Sequence, residues 1–189
     1  MSKYKNYEKT KDMIRETFAK LVIEKKEFDA ISIKDIIEGA GIAKSTFYYH
    51  YDDIDDFLIE LYTDIIAKFN KLVSGYYQQD VNAKFLYVRQ TAKFLKQYDD
   101  FFRVLLKSDK SNAFIKMFKN NLVEVFQKDN TLKLHQISAN RRTAEIHMVA
   151  NGISYLFVDY YRENLNVTLD EIADLVCSSI SFSNLESLK

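Results

Sequence analysis

The chain has 189 residues, of which 47% are hydrophobic and 29% charged, and its formal net charge is zero. This length suffices for one or two small domains with a hydrophobic core. Glycine is scarce, at four residues, and proline is absent, which argues against a sheet-rich fold and favours helices joined by Asn, Asp and Ser turns.

Targeting signals are not evident in the sequence. No run approaches about 20 apolar residues, and no basic start leads into an apolar stretch, so we expect neither a membrane span nor a signal peptide. The single cysteine, Cys177, excludes an internal disulfide. These observations favour a cytoplasmic protein without a membrane partner.

The charges are distributed unevenly. Residues 1–50 carry ten basic and eight acidic side chains, whereas residues 51–189 carry seventeen and nineteen. The basic excess is sharpest at the amino end, where one acidic residue offsets four lysines: Lys3, Lys5, Lys9 and Lys11. Such a segment is either a solvated tail or a basic arm that follows a DNA backbone.

The first predicted helix runs from Glu8 to Lys26. Its apolar residues recur at helical spacing, as Ile14, Phe18 and Val22 show. We expect this helix to cover the two short helices that follow.

Residues 32–51 have the pattern of two short helices joined by a tight turn, a helix-turn-helix. Ser32 is a favourable N-cap, with Asp35 three residues further on. Gly39 and Gly41 supply the permissive backbone that such a turn needs.

The second helix of the pair would bury Phe47 and Tyr51, which lie four residues apart. The outward side chains are then a cation, hydroxyls and polar rings: Lys44, Ser45, Thr46, Tyr48, Tyr49 and His50. Such groups can bond phosphate oxygens and base edges in the DNA major groove. The residues alone leave open a second interpretation, a surface helix pair with incidental polar groups.

Residues 8 to 62 resemble the DNA-binding domain of the tetracycline-repressor (TetR) family, one-component transcriptional regulators of bacteria and archaea. The resemblance rests on the amphipathic first helix, on residues 31–37 and 40–51, and on the acidic link into residues 57–62. It implies an all-α fold of about nine helices. An N-terminal three-helix DNA-binding domain would precede a C-terminal helical domain for ligand binding and dimerisation.

The resemblance also implies which side chains meet DNA. Phosphate contacts would come from Ser32, Thr46 and Tyr48. Contacts at or near the bases would come from a second group: Lys34, Lys44, Ser45, Tyr49 and His50.

Three positions depart from the family pattern. Ile54 stands where a phosphate-gripping lysine often opens the fourth helix, and Ile37 replaces a usual small residue. Lys26 and Glu27 take the place of the usual glycine before Phe28. We expect these changes to affect DNA affinity and the turn after the first helix more than the fold.

Four aspartates surround the start of the fourth helix and are expected to cap it: Asp52, Asp53, Asp55 and Asp56. A metal site is the alternative, but no His, Cys or second acidic cluster lies nearby in sequence, so no metal or cofactor is predicted. Helix four, at about residues 54–74, would link a DNA-binding domain of residues 1–53 to an effector-binding and dimerisation domain of residues 54–189.

Five further helices are predicted: Asn82 to Gln97, Asp99 to Lys107, Ser111 to Lys128, Ala139 to Arg162 and Leu169 to Phe182. Thr168 and Glu171 have the spacing of a capping box at the start of the last one. The last two helices have apolar faces, and the resemblance implies that they pair with those of a second subunit. Such a homodimer would read a palindromic operator.

Aromatic residues are frequent in the middle helices. We predict a pocket for a small ligand lined by Phe69, Phe85, Tyr98, Phe102, Phe118 and Tyr155. Ligand binding there would swing helix four and change the distance between the two recognition helices. The alternative is that these rings form an ordinary helical core.

The sequence therefore predicts a DNA-binding transcriptional regulator, a dimeric repressor released by a small ligand. The alternative keeps the fold and makes the protein a helical coregulator that acts through a protein partner, with little DNA binding. Ile54 and the neighbouring acids support that alternative. An enzyme is not expected, because the chain has no phosphate-cradling glycine-rich loop, no paired histidines and no nucleophile in a recognisable setting.

Overall fold

The computed structural model describes residues 2–73, 82–128 and 138–182, and over these ranges every regular element is helical. Nine α-helices and one 3₁₀ turn follow one another: α1 (Ser2–Lys25), the 3₁₀ turn (Phe28–Ala30), α2 (Ile33–Ala40), α3 (Lys44–His50), α4 (Ile54–Val73), α5 (Asn82–Gln97), α6 (Asp99–Leu105), α7 (Ser111–Lys128), α8 (Ala139–Tyr161) and α9 (Leu169–Phe182). The predicted all-α fold class is confirmed. The five predicted C-terminal helices agree with α5 to α9 to within two residues.

The chain divides into two compact units. The first comprises residues 1–64 and 100–114, and the second comprises residues 65–99 and 115–189. The division into a DNA-binding domain of residues 1–53 and an effector-binding and dimerisation domain of residues 54–189 stays a prediction.

Helix α1 packs against several other elements of the first unit. It begins at Ser2, six residues before the predicted start at Glu8, because neither glycine nor proline interrupts this part of the chain. Its predicted apolar stripe is buried, with Phe18 only 1% exposed. The Phe18 ring meets the rings of Phe28 and Phe57 edge-on, at centroid distances of 5.2 and 5.1 Å. Helix α1 therefore packs against the 3₁₀ turn and against α4 at once.

The turn after α1 is built on Lys26, which has a φ of 53°. Its amide donates to the carbonyl of Val22 at 3.1 Å and so closes the last turn of the helix. The left-handed conformation costs a residue with a Cβ about 1 kcal/mol. The turn that lacks the usual glycine therefore keeps a backbone conformation that glycine adopts without strain.

We expect Lys26→Gly to raise the free energy of unfolding by about 0.5 kcal/mol. Removing the Cβ relieves the left-handed strain, although the more flexible unfolded chain takes back part of the gain. Urea denaturation followed by circular dichroism measures the change. The matched control is Glu27→Gly, since Glu27 has a φ of −141° and should gain nothing. Equal effects of the two substitutions would contradict the strain argument.

The second unit is a helical core in which α9 packs against both α5 and α8. The predicted capping box opens α9: the Glu171 amide donates to Thr168 Oγ1 at 3.2 Å, and the Thr168 amide donates to Glu171 Oε2 at 2.7 Å. Deeper in the unit, the buried Tyr161 hydroxyl donates to the carbonyl of Leu95 at 3.3 Å. In the described ranges, no helix is long and apolar enough to cross a bilayer.

Candidate nucleic-acid interface

Helix α2 begins with the predicted cap. Ser32 Oγ accepts from the Asp35 amide at 3.2 Å, and Asp35 Oδ2 accepts from the Ser32 amide at 2.8 Å. Lys25 Nζ lies 2.9 Å from the same carboxylate oxygen. Hydrogen bonds from Ser32 and then from Lys25 hold the Asp35 pKa well below its ordinary value. Ser32, a predicted phosphate contact, is thus exposed and also fixes the start of α2.

The turn between α2 and α3 needs its two glycines for different reasons. Gly41 caps α2 in the left-handed conformation, with a φ of 62°, and its amide donates to the carbonyl of Glu38 at 3.2 Å. Gly39 lies against α1, where a Cβ would come within 2.7 Å of Thr17 Cγ2. The first is required by backbone conformation and the second by close helix packing.

The buried face of α3 is the predicted one. Phe47 is fully buried and Tyr51, which follows the helix, is 2% exposed. Their ring centroids lie 5.6 Å apart. With this face fixed in the core, the opposite face of α3 is held towards solvent.

That outward face carries the side chains predicted to meet DNA. Tyr48 is 45% and Tyr49 67% exposed; Lys44 and Ser45 are exposed, and Thr46 is half-buried. Tyrosine combines an apolar ring with a polar hydroxyl, which suits it to a binding surface.

The two predicted DNA-binding lysines differ in their surroundings. Lys44 Nζ lies 5.8 Å from the centre of the Tyr48 ring, a weak cation–π contact. Lys34 on α2 is 81% exposed and lies 3.7 Å from Glu38, one turn along the helix. Both ammonium groups can therefore reorient towards a phosphate at little cost.

His50 is half-buried, as is Thr46, whereas the other residues predicted to point outward from α3 are exposed. Its ring centroid lies 4.3 Å from that of Tyr7 on α1 and 5.3 Å from that of Tyr49. Burial, followed by the nearby charge of Lys11, lowers the pKa of His50. The imidazole is therefore largely neutral at pH 7 and supports the neighbouring rings. A contact of His50 near the bases stays a prediction.

The aspartates around the start of α4 cap that helix as predicted. Asp53 Oδ1 accepts from the Asp56 amide at 2.8 Å, and Asp56 Oδ2 accepts from the Asp52 amide at 3.2 Å. Ile54, the first residue of α4, is half-buried. In the residues that the structure describes, no group of three or more His, Cys, Asp or Glu side chains is arranged to hold a metal ion.

A charged cluster around Glu60 on α4 was not predicted from the sequence. The Glu60 carboxylate accepts from the Tyr51 hydroxyl at 2.8 Å, from Arg15 Nη2 at 2.6 Å and from Lys11 Nζ. Arg15 Nη2 also pairs with Asp64 at 2.8 Å. The available signal was the spacing: two basic residues lie four apart on α1, and two acidic residues lie four apart on α4.

The cluster has definite protonation states near pH 7. Burial alone would raise the pKa of Glu60, but hydrogen bonds from Lys11 and Tyr51 outweigh it and lower the pKa. Burial and the hydrogen bond to Glu60 raise the pKa of Tyr51. Glu60 is therefore a carboxylate and Tyr51 a neutral donor, which makes their hydrogen bond charge-assisted.

The aromatic residues predicted to line a ligand pocket are dispersed. Phe69 and Phe118 lie together in the second unit, with centroids 6.3 Å apart. Tyr98 is 43% and Tyr155 56% exposed, whereas Phe102 is buried in the first unit. The side chain of the sixth, Phe85, lies outside the described residues.

The second unit contains a small cavity of about 10 Å³, which is room for at most about one water molecule. It is lined by Tyr87, Val88, Thr91, Leu122, Phe126, Ile153, Phe157 and Val176. Two of the predicted residues adjoin this lining: Phe69 lies 5.7 Å from Tyr87, and Phe118 lies 6.3 Å from Phe157, between ring centroids. Ligand binding by the predicted residues stays a prediction.

A capped helix-turn-helix that buries one face of α3 and exposes a cation, hydroxyls and tyrosines on the other is the arrangement typical of DNA-binding helix-turn-helix domains. Residues 19–61 match the family model of bacterial regulatory proteins of the tetR family. Over these residues the chain is similar to the DNA-binding domain of that family.

Several solved structures share the fold over nearly the whole chain. A protein of Syntrophomonas wolfei assigned to the TetR family is 19% identical, with a TM-score of 0.68 over 92% of this chain and 94% of its own. A TetR transcriptional regulator of Streptococcus agalactiae is 22% identical, with a TM-score of 0.62 over 95% and 98%. The fatty acid degradation regulator FadR of Bacillus halodurans is 16% identical, with a TM-score of 0.67 over 90% and 94%. No curated protein sequence matches the chain.

Proposed function

We propose that the protein is a homodimeric repressor that occupies a palindromic operator and leaves it when a small ligand binds. The observation that carries this proposal is the outer face of α3. Phe47 on the inner face of the helix is fully buried, whereas Tyr48 and Tyr49 on the outer face are 45% and 67% exposed, and the nearby Lys44 is exposed as well.

The chemistry of this face supports contact with both backbone and bases. The Lys44 ammonium and the Tyr48 hydroxyl can donate to phosphate oxygens, and Ser45 and Tyr49 can reach base edges or a thymine methyl group. The capped α2 and the glycine turn support the backbone of α3, so the helix that carries these donors has a defined orientation before DNA binds.

Exposed apolar side chains on the last two helices support dimerisation. Met148 is 68% and Tyr155 56% exposed on α8, and Leu175 is 52% exposed on α9. Met148 and Tyr155 lie seven residues apart, so they share a face of α8. Between them, a Cβ added at Gly152 would meet nothing within 4 Å, which leaves room for a second helix to approach. A dimer would double the base contacts and impose the half-site spacing of a palindrome.

The cavity in the second unit is the proposed point of entry for the effector. Its lining is apolar apart from Tyr87 and Thr91, and the Thr91 hydroxyl already donates to the Tyr87 carbonyl at 2.9 Å. A ligand larger than water must displace side chains to enter. Such a displacement next to Phe69 on α4 would bias the position of that helix and weaken operator binding.

DNA binding across a salt series tests the proposal. Fluorescence anisotropy with the DNA upstream of the protein's own gene, and with duplexes selected from a random pool, should reveal one sequence bound at least about a thousandfold more tightly than a scrambled duplex. Its affinity should fall steeply with salt, because phosphate contacts release counterions. A folded dimer that binds no duplex preferentially would contradict the repressor hypothesis. It would favour the coregulator hypothesis, which the acidic residues around Ile54 also support.

A further inference from the structure

We infer that Glu60 is a positioning residue for DNA recognition, because its carboxylate on α4 fixes the carboxyl end of the recognition helix α3. The inference rests on the proposed function and specifies how the outer face of α3 is held in the orientation that reads bases. Two routes of contact lead from this one carboxylate to α3.

The first route is direct. The Tyr51 hydroxyl donates to Glu60 Oε1 at 2.8 Å, and the Tyr51 amide donates to the carbonyl of Phe47 at 3.0 Å, closing the last turn of α3. Because the Tyr51 ring is 2% exposed, its position is set by packing and by this hydrogen bond together. The end of α3 is therefore joined to α4 by a part-buried, charge-assisted hydrogen bond.

The second route passes through α1. Glu60 also binds Lys11, whose Nζ lies 5.0 Å from the centre of the Tyr7 ring. The Tyr7 ring in turn packs on His50 at 4.3 Å and meets Tyr49 edge-on at 6.0 Å, between centroids. Tyr49 is 67% exposed on the outer face of α3. The carboxylate thus supports, through Lys11 and Tyr7, a ring that is predicted to touch DNA.

Asp64 provides a matched comparison on the same helix. It lies one turn beyond Glu60 and pairs with Arg15 at 2.8 Å. In the part of the chain that the structure describes, Asp64 has no hydrogen bond to α3. Glu60→Gln and Asp64→Asn each remove one negative charge from α4 and leave a neutral amide beside Arg15, but only the first substitution also weakens the acceptor of the Tyr51 hydroxyl.

The test compares the two variants for operator and for scrambled DNA by anisotropy at one salt concentration. Loss of a negative charge should strengthen binding to any duplex slightly and equally in both. We expect Glu60→Gln to bind the operator about tenfold more weakly than Asp64→Asn, with equal affinities for scrambled DNA. Equal ratios of operator to scrambled affinity in the two variants would overturn the inference.

Thermal unfolding by circular dichroism separates positioning from loss of fold, since a purely structural role would lower stability without changing the affinity ratio of the folded protein. If Glu60→Gln is unfolded at the assay temperature, Tyr51→Phe replaces it, because that change removes only the hydroxyl. An unchanged affinity ratio in folded Tyr51→Phe overturns the inference. If the wild-type dimer binds no duplex preferentially, both the proposed function and the positioning role are refuted. If the wild type prefers its operator but the two variants have equal ratios of operator to scrambled affinity, only the positioning role is refuted.

Discussion

Replacing Lys44 and Tyr48 together by alanine is expected to weaken operator binding by about a hundredfold while the fold persists. Each contact to a phosphate or a base is worth about 1–3 kcal/mol, so the loss of two removes at least about 2–3 kcal/mol. Both side chains lie on the exposed face of α3, and alanine is a better helix former than either. Stability should therefore change little.

Anisotropy across a salt series measures the loss, and thermal unfolding checks the fold. Removing one phosphate contact should lower the slope of log affinity against log salt by about one. The control is Lys116→Ala, which removes the same charge from an exposed position on α7 in the second unit. Undiminished operator binding by the double variant would place the recognition surface elsewhere. Unchanged repression in the cell would favour the coregulator.

The sequence predicted those parts of the fold whose signals are local. The capping boxes of α2 and α9 pair residues three apart, so Ser32 with Asp35 and Thr168 with Glu171 can be recognised without knowing the fold. Proline is absent and glycine rare, so polar caps are the main remaining marks of helix ends. They place the boundaries of α5 to α9 to within two residues.

The cluster around Glu60 could not be predicted in the same way. Glu60 lies 45 residues from Arg15 and 49 from Lys11, and their pairing depends on how α1 packs against α4. The partial burial of His50 likewise requires Tyr7, which belongs to the part of α1 that the sequence pattern placed before the helix. Contacts between helices, unlike caps, depend on the tertiary fold.

Aromatic composition was a poor guide to the ligand site for a related reason. Core packing and pocket lining use the same side chains, so a ring such as Phe102 can be buried in the first unit while Phe69 is buried in the second. Only their positions in the folded chain separate the two roles. The residues beside the small cavity, such as Thr91, carried no distinguishing pattern.

Helix α2 approaches α1 closely at Gly39, and we expect the effect of Gly39→Ala on stability to depend on whether Thr17 is present. Gly39→Ala should gain up to about 1 kcal/mol from helix propensity, but its Cβ would lie 2.7 Å from Thr17 Cγ2. Thr17 is β-branched and cannot easily rotate its methyl group away, so the overlap should cost about 1–3 kcal/mol. We expect the single substitution to lower the free energy of unfolding.

In a Thr17→Ala background the same substitution should be stabilising. Thr17 Cγ2 is the one atom that the new Cβ would meet within 4 Å in the described chain, so removing it leaves only the gain in helix propensity. Urea denaturation of the four proteins in this double-mutant cycle should give a coupling energy of about 2 kcal/mol. Additive effects of the two substitutions would mean that a small shift between α1 and α2 relieves the overlap with Thr17 Cγ2 at little cost. A large coupling would show that α1 and α2 are held in close contact at this point.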